Sequence, residues 1–173
     1  MKRFALLISA GAALAIAMPV QAAAAPTDPQ IAHIAYTAGN LDVEAGKQAL
    51  KMSHNAMVRD FAQQMIRDHD AVNAKALALV KKLHVTPEAN PTSATLTKGA
   101  DAERAKLAKL SGAAFDRAYI NNEVAFHKAV NGALASTLIP SAHNAELKSL
   151  LETGLTLFTE HQKHAEQMAA TLK

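Results

Sequence analysis

Four stretches of this chain repeat their apolar residues every three or four positions, and a linker of about 28 residues separates the second from the third. That periodicity confines the chain to helices packed on helices, and strand signals are nearly absent. The first stretch opens on Asp28-Pro29, an N-cap acid followed by proline at the first helical position. It runs to about Met52, with Ile34, Leu41, Ala45 and Ala49 on one face. Ser53-His54-Asn55 is a short turn, so the next helix packs antiparallel to the first. That helix runs from about Ala56 to His84 on a stripe of Phe61, Met65, Val72, Ala76 and Val80, and Val85-Thr86-Pro87 ends it. A Pro- and Thr-containing linker follows, with a brief helical piece from Asp101 to Leu110. Ser111-Gly112 opens the third helix, whose stripe is Phe115, Tyr119, Val130 and Leu134, and Pro140 closes it. The fourth runs from about Asn144 to Leu172, with Leu147, Leu151, Leu157, Met168 and Leu172 facing inward.

The expected fold is therefore all-α, a four-helix bundle about 35–45 Å long. Neighbouring antiparallel helices need a connection of only about 2–8 residues. The linker from Val85 to Ser111 could span roughly 90 Å if fully extended. Its length favours the ferritin-like topology, in which helices two and three run parallel after one long crossover. A plain up-down-up-down bundle is the alternative.

The start of the chain has a separate purpose. Lys2 and Arg3 precede an apolar run from Phe4 to Met18, then Pro19 and the small-residue stretch after Val20-Gln21. This is the pattern of a secretory signal peptide over residues 1–25, with cleavage between Ala22 and Ala25. The run of about 15 residues falls short of the roughly 20 that span a membrane. Residues 26–173 then form a single bundle domain, expected in the periplasm, with peripheral outer-membrane association and homo-oligomers left open. The formal charge of +3 includes Lys2 and Arg3, so the remainder is close to neutral. No basic patch with interleaved aromatics is present, which argues against nucleic acid as a partner. There is no cysteine, so disulfides, thiol chemistry and iron–sulfur clusters are excluded, and any metal must be held by His, Asp or Glu.

Polar residues on apolar stripes need a partner or a ligand, because burying them alone is costly. His69 lies four residues after Met65; Glu123 and His127 continue the stripe of Phe115 and Tyr119; His161 lies four after Leu157; Glu44 lies three after Leu41. Each helix thus offers a metal-capable group. Counted down from the Ser53 turn in the ferritin-like topology, Glu44, Glu123 and His161 share one height. His69 and His127 share another, roughly 6–9 Å along the axis. Such a set suits a transition metal: iron, copper or zinc. It departs from the Glu-x-x-His motif of di-iron bundles, since Glu123 and His127 are one residue too far apart. His33, His54, His84 and His143 lie near helix ends or turns and read as surface residues, and Asp116 reads as a helix-start charge. No phosphate loop or nucleophile elbow occurs, and nothing indicates a substrate or a reaction.

Several pieces together resemble a known family. They are Leu41-Asp-Val-Glu44 with Ala49, Phe61-Ala-Gln-Gln-Met65 with Asp68-His69, Phe115-Asp116-Arg-Ala-Tyr119 leading to His127, and Glu160-His161. The chain resembles, from about Pro29 to Leu172, a bacterial family of exported ferritin-like helical proteins. These are catalogued as a domain of unknown function and often labelled outer-membrane proteins. The resemblance implies the fold and places the family's motif positions on Glu44, His69, Asp116, Tyr119, His127 and His161. It implies no agreed activity. Two expectations follow: a bundle that binds a metal for metal handling or envelope stress, or a structural bundle whose interior polar residues only fix helix register.

Overall fold

A computed structural model describes residues 25–172, and all its regular elements there are helical. The signal peptide and its cleavage region lie, apart from Ala25, outside the described residues. The helices are α1 (Asp28–Met52), α2 (Ala56–Lys82), α3 (Pro91–Leu107), α4 (Gly112–Ala133), α5 (Ile139–Ser141) and α6 (Ala145–Thr171). A five-residue π-helical segment, Leu134–Leu138, joins α4 to α5. Pro140 accounts for that widened turn: it has no N–H to give the carbonyl four residues back, and its ring crowds that carbonyl.

The helices pair as two antiparallel hairpins, α1 with α2 and α4 with α6, joined by the crossover. Two contacts fix how the hairpins sit. The Ser53 hydroxyl donates to Asp116 Oδ1 at 2.5 Å, which places the start of α4 at the α1–α2 turn. At the other end the Asp28 carboxylate accepts from the backbone N–H of His143 and of Asn144, at 2.9 and 2.8 Å. So α2 and α4 both start at the Ser53 end and run parallel, as the linker length required. The crossover helix begins earlier than expected, at Pro91 rather than Asp101. Asn90 caps it by accepting from Ser93 N at 3.0 Å, with Pro91 at the first position. α3 lies across α1 and α4, and its Leu107 is buried in the bundle.

Close approach within the first hairpin comes from small residues. A Cβ on Gly46 would stand 2.9 Å from Ile66 Cγ1 and 3.1 Å from the Ala62 carbonyl oxygen. The core is split in two along the bundle axis. Phe61, Met65, Phe115, Tyr119, Ile120 and Met168 fill the Ser53 end. Ile31, Ile34, Leu134, Leu138, Leu151 and Phe158 belong to the other. Buried polar side chains lie between these clusters.

Candidate metal centre

Asp42 of α1, His69 of α2, Glu123 and His127 of α4 and His161 of α6 are each 2% exposed or less. They occupy the apolar stripes of their helices, so packing on either side forces them inward. The rings of His69, His127 and His161 form a near-equilateral triangle, with centroids 5.4 to 5.6 Å apart. One nitrogen from each lies within 4.8 Å of the others, and Asp42, Glu123 and His127 form a second such group. Asp42 Oδ2 is 3.1 Å from His69 Nε2 and 3.4 Å from His127 Nε2. Phe158 stacks on His69 at 4.5 Å and closes one side.

The outer nitrogens of two histidines are tied down. His127 Nδ1 is 3.0 Å from the Glu123 carbonyl oxygen, which can only accept, so the proton belongs on Nδ1. His161 Nε2 is 3.0 Å from Asp68 Oδ2, which places its proton on Nε2 by the same reasoning. Each ring then presents a bare lone pair inward, from His127 Nε2 and His161 Nδ1. Both atoms are buried without a hydrogen-bond partner, as are His69 Nδ1 and Asp42 Oδ1. Glu123 Oε2 and the Tyr119 hydroxyl share that condition. A buried polar atom left unpaired costs about 1–3 kcal/mol, so this concentration of them is costly unless something supplies the missing partners.

Burial dominates ionisation here. It pushes the Glu123 carboxyl well above the usual carboxylate range, with the Asp42 charge adding to the effect. The Tyr119 phenol is raised in the same way, with Glu123 and Asp42 adding. Burial lowers His127 to about 4 against the pull of Asp42, and lowers His161 against that of Asp68. Asp42 is the exception. Burial alone would raise its carboxyl, but the attraction of His69, His127 and His161 together brings it below its ordinary value. The surroundings therefore favour the ionised form at Asp42 and the protonated form at Glu123.

Of the residues expected from sequence, His69, Glu123, His127 and His161 come together, and Glu44 does not. Glu44 is on the solvent face, paired with Lys47 at 2.9 Å. The stripe of α1 runs through Ala38, Asp42, Ala45 and Ala49, so Asp42 takes the inward place. Leu41, which is only half-buried, had rotated the reading of that face. The two expected heights also merge, because all three imidazoles are in ring contact; helix ends taken as level are in fact staggered. Asp116 is buried and bonded to Ser53, away from the cluster, rather than a surface charge. Asp68, adjacent to His69 in sequence, was passed over and orients His161.

Two cavities reach the cluster. One of about 220 Å³ lies under α3 and touches Asp42 and Glu123. A second of about 850 Å³ lies toward the α1 N-terminus and touches His69 and His127. No helix among the described residues is long and apolar enough to cross a membrane.

The fold has solved counterparts. One is a Streptomyces coelicolor protein, DUF305, described as secreted: TM-score 0.69, 13% identity, covering 82% of this chain and 91% of that one. Another is CopM in a Cu(II)-bound form: TM-score 0.66, 13% identity, covering 87% of this chain and all of that one. At that identity both speak for the fold alone. No curated protein matches the chain in sequence. The family described as a domain of unknown function, DUF4142, matches residues 13–168, and the chain belongs to that family.

Proposed function

We propose that this protein is an exported metal-binding bundle that holds one first-row transition metal through His69, His127, His161 and Asp42. The observation that carries the reading is the inward-facing, unpartnered lone pairs of His127 and His161, whose other nitrogens are hydrogen-bonded to oxygen. Outer hydrogen bonds of this kind orient metal-ligating histidines and fix their tautomers. Three imidazoles and a carboxylate suit copper, zinc or iron, and the absence of thiolate disfavours softer chemistry. Glu123, within reach of Asp42 and His127, is a further oxygen ligand. The cavity beneath α3, with Glu103 and Arg104 both on its wall, opens onto Asp42 and gives small ions access to it. Copper is the first metal to test, since the similar fold of CopM is described with Cu(II). Handling of metal in the periplasm, after removal of the leader over residues 1–25, fits this arrangement.

The test is metal analysis of untagged protein, followed by titration with Cu(II) and Zn(II). The parent should bind one equivalent and gain thermal stability in metal, by about 2.7 kcal/mol at a hundredfold excess over Kd. His127→Ala and His161→Ala should lose both, whereas His33→Ala and His143→Ala should keep them. A parent that binds nothing, or His127→Ala and His161→Ala variants that bind as the parent does, would leave the histidines as register-fixing residues only.

A further inference from the structure

The larger cavity, about 850 Å³, lies within the range of small-molecule pockets, roughly 300–1,000 Å³. Its origin lies in α2. Residues Val58, Phe61, Ala62, Met65, His69 and Asn73 of that helix are buried, but none is from Ala74 to Lys82. The apolar stripe continues regardless through Ala76, Leu79 and Val80, and these side chains line the cavity. Opposite them stand Ala35 of α1, Val130 of α4 and Leu151 of α6. The π-helical turn widens the far wall, with Leu134 and Leu138 on it. The cavity opens to solvent at its rim, so its apolar walls face water until something covers them, which favours an apolar occupant.

The lining says what kind. Among the described residues that line it there is no Lys, Arg, Asp or Glu. Polar groups are few: Thr27, Gln30, Asn90, Thr92 and Thr137 at exposed or half-exposed positions, and His69, Asn73 and His127 at the inner end. An anionic head would find no cation along this wall and a cationic one no acid. We propose that this cavity is a binding site for an uncharged small molecule with a long hydrocarbon part. Its weakly polar end sits at the rim and its chain runs toward the histidine end.

The occupant is tested with N-phenyl-1-naphthylamine, an uncharged fluorescent probe, on purified protein stripped of metal with chelator. Stripping makes the result independent of the metal reading. The probe should brighten with saturation at one site, and 1-hexadecanol should displace it at least tenfold more effectively than hexadecanoate at pH 8. Ala35→Phe and Ala76→Phe, which place a ring in the empty space, should weaken probe binding at least tenfold with Tm held or raised. Leu77→Gln, on the exposed outer face of α2, should bind as the parent does. No saturable binding by the parent, equal displacement by the carboxylate, or loss of binding in Leu77→Gln would overturn the assignment. So would Ala35→Phe and Ala76→Phe proteins that retain binding. Unfolding of both by circular dichroism would overturn it too, because it would show that no free room exists there.

Discussion

Asp42 and Glu44 carry the same chemical group two positions apart, yet one is 1% exposed among three imidazoles and the other is bonded to Lys47 in solvent. Substitution separates them. Asp42→Asn should weaken Cu(II) or Zn(II) binding more than the roughly 10–100-fold typical of losing an outer partner. Asp68→Asn should fall within that range, and Glu44→Gln should match the parent, all by calorimetric titration. Equal affinities for Asp42→Asn and Glu44→Gln would contradict the geometry. The histidines also set an acid limit. His127 titrates near 4 in the fold against 6.5 ordinarily. Between those values the unfolded chain binds a proton that the native imidazole refuses. The stability contribution is therefore full above pH 6.5 and falls as the pH drops toward 4. His161 acts in the same sense. Glu123 acts oppositely: its raised carboxyl contributes below the ordinary 4.5, and that contribution is lost as the pH rises through the raised value. In metal-free protein, His127→Gln should flatten the decline of Tm between pH 6.5 and 4, measured by circular dichroism; an unchanged profile would refute this.

At the scale of the elements, the α1–α2 contact decides whether Asp42 and His69 meet. Gly46→Leu cannot be accommodated beside Ile66 and the Ala62 carbonyl. It should cost about 1–3 kcal/mol in urea denaturation, whereas the same change at exposed Gly132, which has open space around it, should cost much less. Helix ends were legible in the sequence because caps and breakers are local: Asn55 and Asn144 cap α2 and α6, and the four long helices end within a few residues of expectation. The crossover was legible through its length alone. Its helix was legible only from Asp101 onward, because Thr92, Ser93, Thr95, Thr97 and Gly99 carry little helical propensity. The Asn90-Pro91 start was the available signal. The inward face of α1 misleads for a related reason: Ala38, Gly39 and Gly46 give little apolar signal, and Leu41, set on one face with Ala45 and Ala49, turns Glu44 inward in place of Asp42. Four of the five expected residues reach the cluster because a histidine or glutamate on a strongly apolar stripe is carried inward with it. Asp68 orients His161 from another helix, a relation that only the assembled bundle creates.

Across the whole molecule the two hairpins are fastened by polar contacts at both ends. Ser53 meets Asp116 at one; at the other Asp28 holds the backbone of His143 and Asn144, and Lys82 pairs with Glu146. Removing the Asp116 carboxylate leaves the buried Ser53 hydroxyl without its acceptor. Asp116→Ala should lower stability by about 1.5–3 kcal/mol, seen as a Tm decrease of roughly 3–12 °C, with metal stoichiometry unchanged. A loss of metal binding in that variant, with the fold intact, would mean that the Ser53 end positions the cluster. The ends are not equal, however. Near Ser53 both hairpins interlock through aromatic side chains, Arg59 clasps the carbonyls of Leu50 and Ser53, and Leu107 wedges in from the crossover. At the opposite end the last turns of α2 rest on no buried side chain of their own. The grip on α2 is thus uneven, locked among aromatic side chains near its start and held at its last turn by the surface pair of Lys82 with Glu146. Amide hydrogens of α2 should accordingly exchange with deuterium in a gradient, slowest around Phe61 and fastest beyond Ala76, because local opening starts where apolar contacts are fewest. His69 lies on the buried side of that change, so fraying of the last turns can leave the ring triangle in place.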